Sequence, residues 1–132
     1  MANTFSFKAG GNILPSRIIK LSDAFTVTQA GAADEDELLG VAAESTKDAP
    51  GLTGASANHA GSGDPVQYYG PGEFCLVEAG AAITAPDLCK ADANGRAIAA
   101  TTGTRAVVRV IEDASGAGEL VRALVIDPIY VP

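Results

Sequence analysis

Large aromatic side chains and histidine are scarce in this chain. Of its 132 residues, none is Trp and one is His, and aromatic residues make up 5% of the composition. Hydrophobic residues reach 47%, but much of that fraction is Ala, and the chain also has 15 Gly and 7 Pro. Active-site pockets are usually walled by larger apolar side chains around a few convergent polar groups. The composition therefore favours a binding or structural protein over an enzyme.

Cationic residues are few and scattered along the sequence. Nine Lys and Arg stand against 16 Asp and Glu, which gives a formal net charge of −7. Proteins that bind nucleic acids neutralise phosphates with clustered cations, so we expect neither nucleic acid nor a membrane surface as a partner. No apolar run reaches the roughly 20 residues that span a bilayer. Residues 1–8 lack the basic and apolar regions of a signal peptide, so we expect synthesis in the cytoplasm.

The residues that most often perform catalysis or bind metals are isolated from one another. Cys75 and Cys89 lie in a chain predicted to be cytosolic, where we expect two buried free thiols. A disulfide and a catalytic or metal-bound thiol are the alternatives. His59 has no second imidazole to complete a triad or a zinc site, and we expect it to be a solvated loop residue. The sequence therefore predicts no catalytic residue, no cofactor and no metal.

Two acidic stretches are candidate calcium sites. In the run 34–37, Asp-Glu-Asp-Glu, adjacent carboxylates do not converge on one ion, so a solvated turn is preferred and a Ca²⁺ site is the alternative. Residues 92–95, Asp-Ala-Asn-Gly, resemble the middle of an EF-hand loop, but Thr101 stands where that loop needs a bidentate carboxylate. Asn94 and Gly95 instead predict a type I′ hairpin turn.

Short β-rich runs separated by turn residues dominate the pattern. They cover residues 17–21, 24–29, 38–43, 65–69, 73–78, 106–112 and 120–127. The last two carry apolar residues at both parities, which predicts strands that are central to the sheet or buried on both faces. Gly70-Pro71-Gly72 predicts a hairpin turn, and residues 86–90 predict a single helical turn. No helical apolar spacing extends over three turns, so the predicted fold class is all-β, a small compact barrel or sandwich.

Three segments fall outside the predicted core. Residues 1–12 are predicted as an extended N-terminal arm, residues 45–64 as a long Gly-, Ala- and Ser-rich loop, and residues 128–132 as an extended tail, with a single β domain over 13–127. Loops of this length are usually functional or disordered. The arm and the tail carry apolar side chains that we expect to be buried on a partner or against the domain itself. These residues are Phe5, Phe7, Ile129, Tyr130 and Val131.

The order of short motifs along the chain resembles one family. The motifs are PSRIIKL at 15–21, TVTQAGA at 26–32, LGVA at 39–42, AGAAITAPDLCKAD at 79–92, GRA at 95–97, VRVIEDAS at 108–115 and GELV at 118–121. Spanning residues 13–126, this series resembles the small capsid decoration (cement) proteins of tailed bacteriophages. The sequence departs from the family's pattern at Pro86, where Gly is usual, and at Cys89, where Leu is usual. The loop 45–64 is also longer than in that pattern.

The resemblance implies a non-enzymatic virion protein that binds the outside of an assembled capsid and stabilises it. It also implies the major capsid protein as partner, a homotrimer as oligomeric state, and the apolar residues of arm and tail as contacts. Two alternatives stay open. One is another virion component, such as a spike or fibre base. The other is a small carrier or binding β domain, because residues 77–88 are similar to the repeat of biotinyl and lipoyl carrier domains, although Lys90 precedes the turn at 94–95.

Overall fold

The computed structural model describes residues 7–31, 38–49, 51, 53–101 and 103–130, the side chain of Tyr130 excepted. All regular secondary structure in these residues is β, as predicted. The strands are β1 (Phe7–Ala9), β2 (Ile18–Asp23), β3 (Thr26–Gln29), β4 (Leu38–Ala42), β5 (Pro65–Val66), β6 (Tyr68–Tyr69), β7 (Phe74–Glu78), β8 (Leu88–Ala91), β9 (Ala97–Ala99), β10 (Arg105–Val110) and β11 (Leu120–Tyr130). Every predicted run contains a strand, whereas β1, β8 and β9 were not predicted.

The strands form two sheets that pack as a sandwich. The six-stranded sheet has the order β5-β1-β3-β2-β4-β6, and the five-stranded sheet has the order β7-β11-β10-β8-β9. Strands β10 and β11 lie inside the five-stranded sheet, which confirms the prediction made from their apolar residues at both parities.

Small aliphatic side chains fill the space between the sheets. Ile18 and Val41 of the six-stranded sheet belong to one cluster with Val77, Val108 and Val110 of the five-stranded sheet, and all five are fully buried. We call the whole cluster to which these residues belong the inner cluster. Side chains of this size interdigitate at the density of protein interiors, so a core without Trp can still be closely packed.

The six-stranded sheet is also buried on its other face. Side chains alternate across a strand, so Ile19 points away from the inner cluster. It belongs to an outer cluster of buried residues, which comprises Ala9, Ile13, Ile19, Val27, Ala42, Ala60, Val66 and Tyr68. Ile13 and Ala60 lie outside the strands, and the Ile13 N–H donates to the Ala60 carbonyl at 2.8 Å. The segment 45–64, which contributes Ala60, therefore covers this face.

The turn at Gly70-Pro71-Gly72 does not close the predicted hairpin. Strand β6 pairs with β4 in the six-stranded sheet, whereas β7 pairs with β11 in the five-stranded sheet. The prediction was wrong because a turn signal indicates a change of direction and does not specify the strand that pairs next. This turn carries the chain from one sheet to the other.

The turn at 92–95 joins β8 to β9 in a hairpin, as predicted, but it is not of type I′. That turn needs a positive φ at both central residues, and Gly95 has a φ of 75° while Asn94 is not in the positive region. The Asp92 carboxylate organises the turn instead. Its Oδ1 accepts the N–H groups of Asn94 at 2.8 Å and Arg96 at 2.9 Å.

The helical turn predicted for residues 86–90 is also wrong. Leu88 begins β8, where Leu88 pairs with Arg109 and Cys89 pairs with Val108 of β10. A single helical turn leaves most of its backbone groups without partners, whereas the ladder with a central strand satisfies them. Tertiary pairing therefore decides the conformation here.

Parts of the predicted arm and tail belong to the sheets. Phe7–Ala9 forms β1, which pairs in parallel with β3 and antiparallel with β5. At the other end, β11 continues to Tyr130, and its register with β10 shifts between Ala106 and Val108. Pro128 lies in this irregular stretch, where a ladder strand can accommodate a residue without an N–H.

Candidate interaction surfaces

Phe7, one of the predicted contact residues, packs against its own domain. Its ring centroid lies 5.5 Å from that of Tyr68 in an edge-to-face arrangement and 6.0 Å from that of Phe25. Phe7 is half-buried beside the outer cluster. Phe25, in the turn between β2 and β3, is 59% exposed, so this aromatic group still reaches the surface. Phe5 lies outside the described residues.

Ile129, from the other end of the chain, lies on the five-stranded sheet. It pairs with Ala106 and is 44% exposed. The backbone of Tyr130 pairs with Arg105, whereas the side chain of Tyr130 and all of Val131 lie outside the described part. The two predicted contact residues whose side chains are described, Phe7 and Ile129, therefore belong to different sheets.

His59 is buried, which corrects the expectation of a solvated loop residue. Only 7% of it is exposed. Its Nδ1 lies 2.7 Å from the Ser45 carbonyl oxygen, and its Nε2 accepts the backbone N–H of Gln67 at 3.1 Å. A carbonyl cannot donate and an N–H cannot accept, so these partners place the proton of the neutral ring on Nδ1. The imidazole thus joins both ends of the segment 45–64 to the six-stranded sheet and has no free nitrogen for chemistry.

An ion pair fixes the same segment. The Lys47 Nζ lies 3.0 Å from the Asp64 Oδ2, which also accepts the Gly61 N–H at 2.9 Å. The hydrogen bond from Gly61, followed by that from Lys47, lowers the pKa of Asp64, and the bond to Asp64 raises the pKa of Lys47. The described part of this segment contains no strand, but these contacts make it an ordered cover.

Both thiols are buried and unbonded, as predicted. Cys75 and Cys89 are free cysteines on β7 and β8, and both belong to the inner cluster. Burial, with a smaller effect of nearby carboxylates, raises the pKa of each thiol to about 12. A thiol is a nucleophile only as the thiolate, so neither residue is placed or charged for catalysis.

The described residues contain no group of three or more His, Cys, Asp or Glu that could hold a metal ion. The acidic run 34–37 lies outside the described residues. Lys90 is within β8, paired with Ile98 of β9, and the turn that follows begins only at Asp92. The modified lysine of a carrier domain stands at the tip of a hairpin, so the position of Lys90 does not favour that alternative.

The outer face of the five-stranded sheet carries apolar side chains that no other described segment covers. Phe74 is 64% exposed, Leu120 is 49% exposed and Ile111 is 45% exposed. Phe74 and Ile111 line the same surface depression as Arg122, which is itself exposed. Clustered exposed apolar side chains often mark an interaction surface. The sequence does not reveal this surface, because apolar residues at both parities of 106–112 and 120–127 also indicate strands that are buried on both faces.

A groove of about 590 Å³ runs along this surface at the edge of the sheet. We call it the β7 groove. It is lined by Glu44, Tyr69, Phe74, Cys75, Leu76, Ile111 and Arg122. The Tyr69 hydroxyl donates to the Glu44 carboxylate, whose oxygens lie 3.2 and 3.4 Å away. Burial and the charge of Glu44 raise the pKa of Tyr69, so the hydroxyl keeps the proton that it donates.

Comparison with known proteins shows the fold and leaves the family open. The chain matches no protein-family model, and no curated protein matches its sequence. Among solved structures, it is similar to the N base of the head fibre gp8.5 of bacteriophage phi29, with a TM-score of 0.59 and 19% sequence identity. The likeness covers 92% of this chain and 91% of that chain. In the described part of the chain, no helix is long and apolar enough to cross a membrane.

Proposed function

We propose that this chain is a structural protein of a tailed-phage virion that binds the exterior of the assembled capsid and stabilises it as a decoration protein. The observation that carries the proposal is the fold likeness to the base of a phage head fibre, which extends over nine-tenths of both chains. The ordered motifs in residues 13–126 support it independently, because they resemble capsid decoration proteins.

The chemistry of the described residues supports a non-enzymatic role. The imidazole of His59 is occupied on both nitrogens by backbone groups. Both thiols are buried, with their pKa raised to about 12. A sandwich packed with small side chains is instead suited to rigid docking, because it has little conformational freedom to lose on binding.

The major capsid protein is the proposed partner, and a homotrimer is the proposed oligomeric state. A contact that is repeated over a shell gains strength through avidity even when each copy binds weakly. The net charge of −7 supports the expectation that packaged DNA is not a partner, since it opposes contact with phosphates.

Quantitative mass spectrometry of purified virions tests this function. We expect a ratio to the major capsid protein near one-to-one, or a simple fraction of it, as for a protein that covers the shell. Absence of the chain from virions would overturn the proposal.

A fibre base is the second candidate, and the phi29 head fibre neighbour is the observation that favours it. This role differs from decoration in copy number and in a further segment that forms the fibre. A handful of copies per virion, together with fibres lost from particles that lack this chain, would select it.

The contribution of the arm can be tested by truncation. Deleting residues 1–9 would remove β1 and its pairing with β3 and β5, so the informative deletion ends at residue 6. We expect the shortened chain to fold and to bind capsids more weakly if Phe5 contacts the shell. Unchanged binding would exclude the arm from the contact.

A further inference from the structure

Within the described residues, the edge of β7 next to the β7 groove is open, because β11 is the one strand that pairs with β7. Ala79 follows β7, and both its N–H and its carbonyl form hydrogen bonds with residues just before β11. The N–H of Glu78 points the opposite way, away from β11, and donates to the Ser16 carbonyl at 3.0 Å. Backbone groups alternate in direction along a strand, so those of Phe74 and Leu76 point the same way as those of Glu78.

Phe74 and Leu76 therefore present N–H and C=O groups to the groove without a backbone partner in the described residues. An unpaired strand edge is a template for a further strand. Because these groups bond in register with another backbone, the occupant that they select is an extended segment.

The side chains around this edge specify what that segment carries. Phe74 and Ile111 are largely exposed and Leu76 is half-buried, so they form an apolar wall beside the edge. Alternate side chains of an added strand face this wall. A partner with apolar residues at every second position would cover it.

Arg122 adds a requirement for negative charge. Arg122 lines the groove, and its guanidinium forms no ion pair within the described residues. Glu112 lies in the connection between β10 and β11. Its carboxylate accepts a hydrogen bond from the backbone N–H of Arg122 at 2.8 Å, not from the Arg122 guanidinium. Glu44 also lines the groove, but its carboxylate already accepts the Tyr69 hydroxyl. Arg122, which has no ion-pair partner in the described residues, is complementary to a carboxylate on the occupant.

We propose that an extended segment of the capsid subunit adds as a strand to the open edge of β7. Its apolar side chains pack against Phe74 and Ile111, and one of its carboxylates pairs with Arg122. The identity of the partner rests on the proposed function, whereas the form of the segment follows from the strand edge and the groove.

Binding of the purified chain to empty capsid shells of the phage that encodes it tests this docking. The decisive pair is Leu76→Pro and Leu76→Ala. Both remove the Leu76 side chain, but only proline removes the N–H that points to the open edge, and edge positions tolerate proline. We expect affinity to fall about tenfold further for Leu76→Pro than for Leu76→Ala, as the loss of a backbone hydrogen bond implies.

Arg122→Glu tests the charge, and Arg109→Glu on β10 is its control with the same change in net charge. Arg109 is exposed but does not line the groove. We expect weaker binding for Arg122→Glu and wild-type binding for Arg109→Glu. Circular dichroism and thermal melts check that each variant folds. If Leu76→Pro does not fold, the comparison of Arg122→Glu with Arg109→Glu still tests the proposal.

The outcomes separate this docking from the proposed function. Shells that bind the wild type, Leu76→Pro and Arg122→Glu equally would overturn the β7 docking and leave the decoration role intact. Shells that bind none of the proteins would overturn both. Self-association of the wild type that is lost in Leu76→Pro would identify a second copy as the occupant and would also overturn the proposal.

Discussion

The outer faces of the two sheets differ in whether another segment of the chain covers them. On the six-stranded sheet, the outer face carries Ile19 and Val27, and the segment that contains His59 and Ala60 covers it. On the five-stranded sheet, Phe74 and Ile111 stand on the outer face at 64% and 45% exposure. Both outer faces therefore carry apolar side chains, but the described chain supplies a cover for only one.

The covered face contributes to the stability of the fold, whereas the exposed face is available for binding. Buried apolar area lowers the free energy of the folded chain, and the covered face uses its side chains in that way. The exposed face leaves the same kind of area free, and it can be buried only when another surface approaches. The long loop, which the sequence pattern sets apart from the core, thus contributes to the core, and the proposed contact surface lies on the other sheet.

The largest expected effect comes from truncating the neighbours Ile18 and Ile19, whose side chains point to the two faces of β2. Both are fully buried, so Ile18→Ala and Ile19→Ala should each lower the free energy of unfolding by about 2–5 kcal/mol. Ile111→Ala, on the uncovered face, should cost less than about 1 kcal/mol. Urea denaturation measures all three. A loss for Ile19→Ala as small as that for Ile111→Ala would mean that the loop is not a true cover.

A smaller effect is expected from removing the imidazole that fastens the cover. His59→Ala loses the bonds to the Ser45 carbonyl and the Gln67 N–H, and should lower the free energy of unfolding by about 1–3 kcal/mol. Hydrogen exchange should quicken at the Gln67 amide and in segment 45–64 before the strands of the five-stranded sheet respond. Thr53→Ala, at an exposed position of the same segment, is the control and should stay near wild type. Uniform quickening across both sheets would contradict a local role.

The smallest effect is expected from the pH dependence of the Lys47–Asp64 pair. The pKa of Asp64 is lowered by the Gly61 N–H and by Lys47, so its contribution to stability is present above the ordinary carboxyl pKa. It is lost as the pH falls through the folded-state value, which lies below 3.8. The pKa of Lys47 is raised, so the contribution of this lysine to stability is fully present below the ordinary lysine pKa of 10.5 and is lost as the pH rises through the higher folded-state pKa.

An NMR titration that follows the Gly61 amide checks this dependence. The amide shift should report a midpoint below the usual carboxyl range, and Asp64→Asn should abolish the transition. A midpoint at the ordinary value would show that the pair does not form in solution.

The all-β class and the central strands could be predicted because they depend on local pattern. The continuous apolar run of β10 includes Val107, Val108 and Val110, and such a run indicates a strand inside a sheet. All three residues are fully buried. The burial of the thiols followed similarly from the apolar neighbours of Cys75. These features need no knowledge of which strands pair.

Features that depend on distant partners could not be predicted. The sequence 70–72 signals a turn but not the change of sheet, and the short strand β1 exists only because β3 and β5 accept it on both sides. His59 lies among small polar residues, so its burial arises from the packing of the whole segment on the six-stranded sheet. The β7 groove was missed for the same reason, since Arg122 and Leu76 come together only when β11 pairs with β7.

The position of β11 has a consequence for the timing of assembly. Strands β7 and β10 are both synthesised before β11, yet each pairs with it. While translation is in progress, a nascent chain that ends before Leu120 lacks an inner strand of the five-stranded sheet, and it also lacks Arg122. Such an incomplete chain cannot form the groove, so the proposed docking site exists only once synthesis has passed β11.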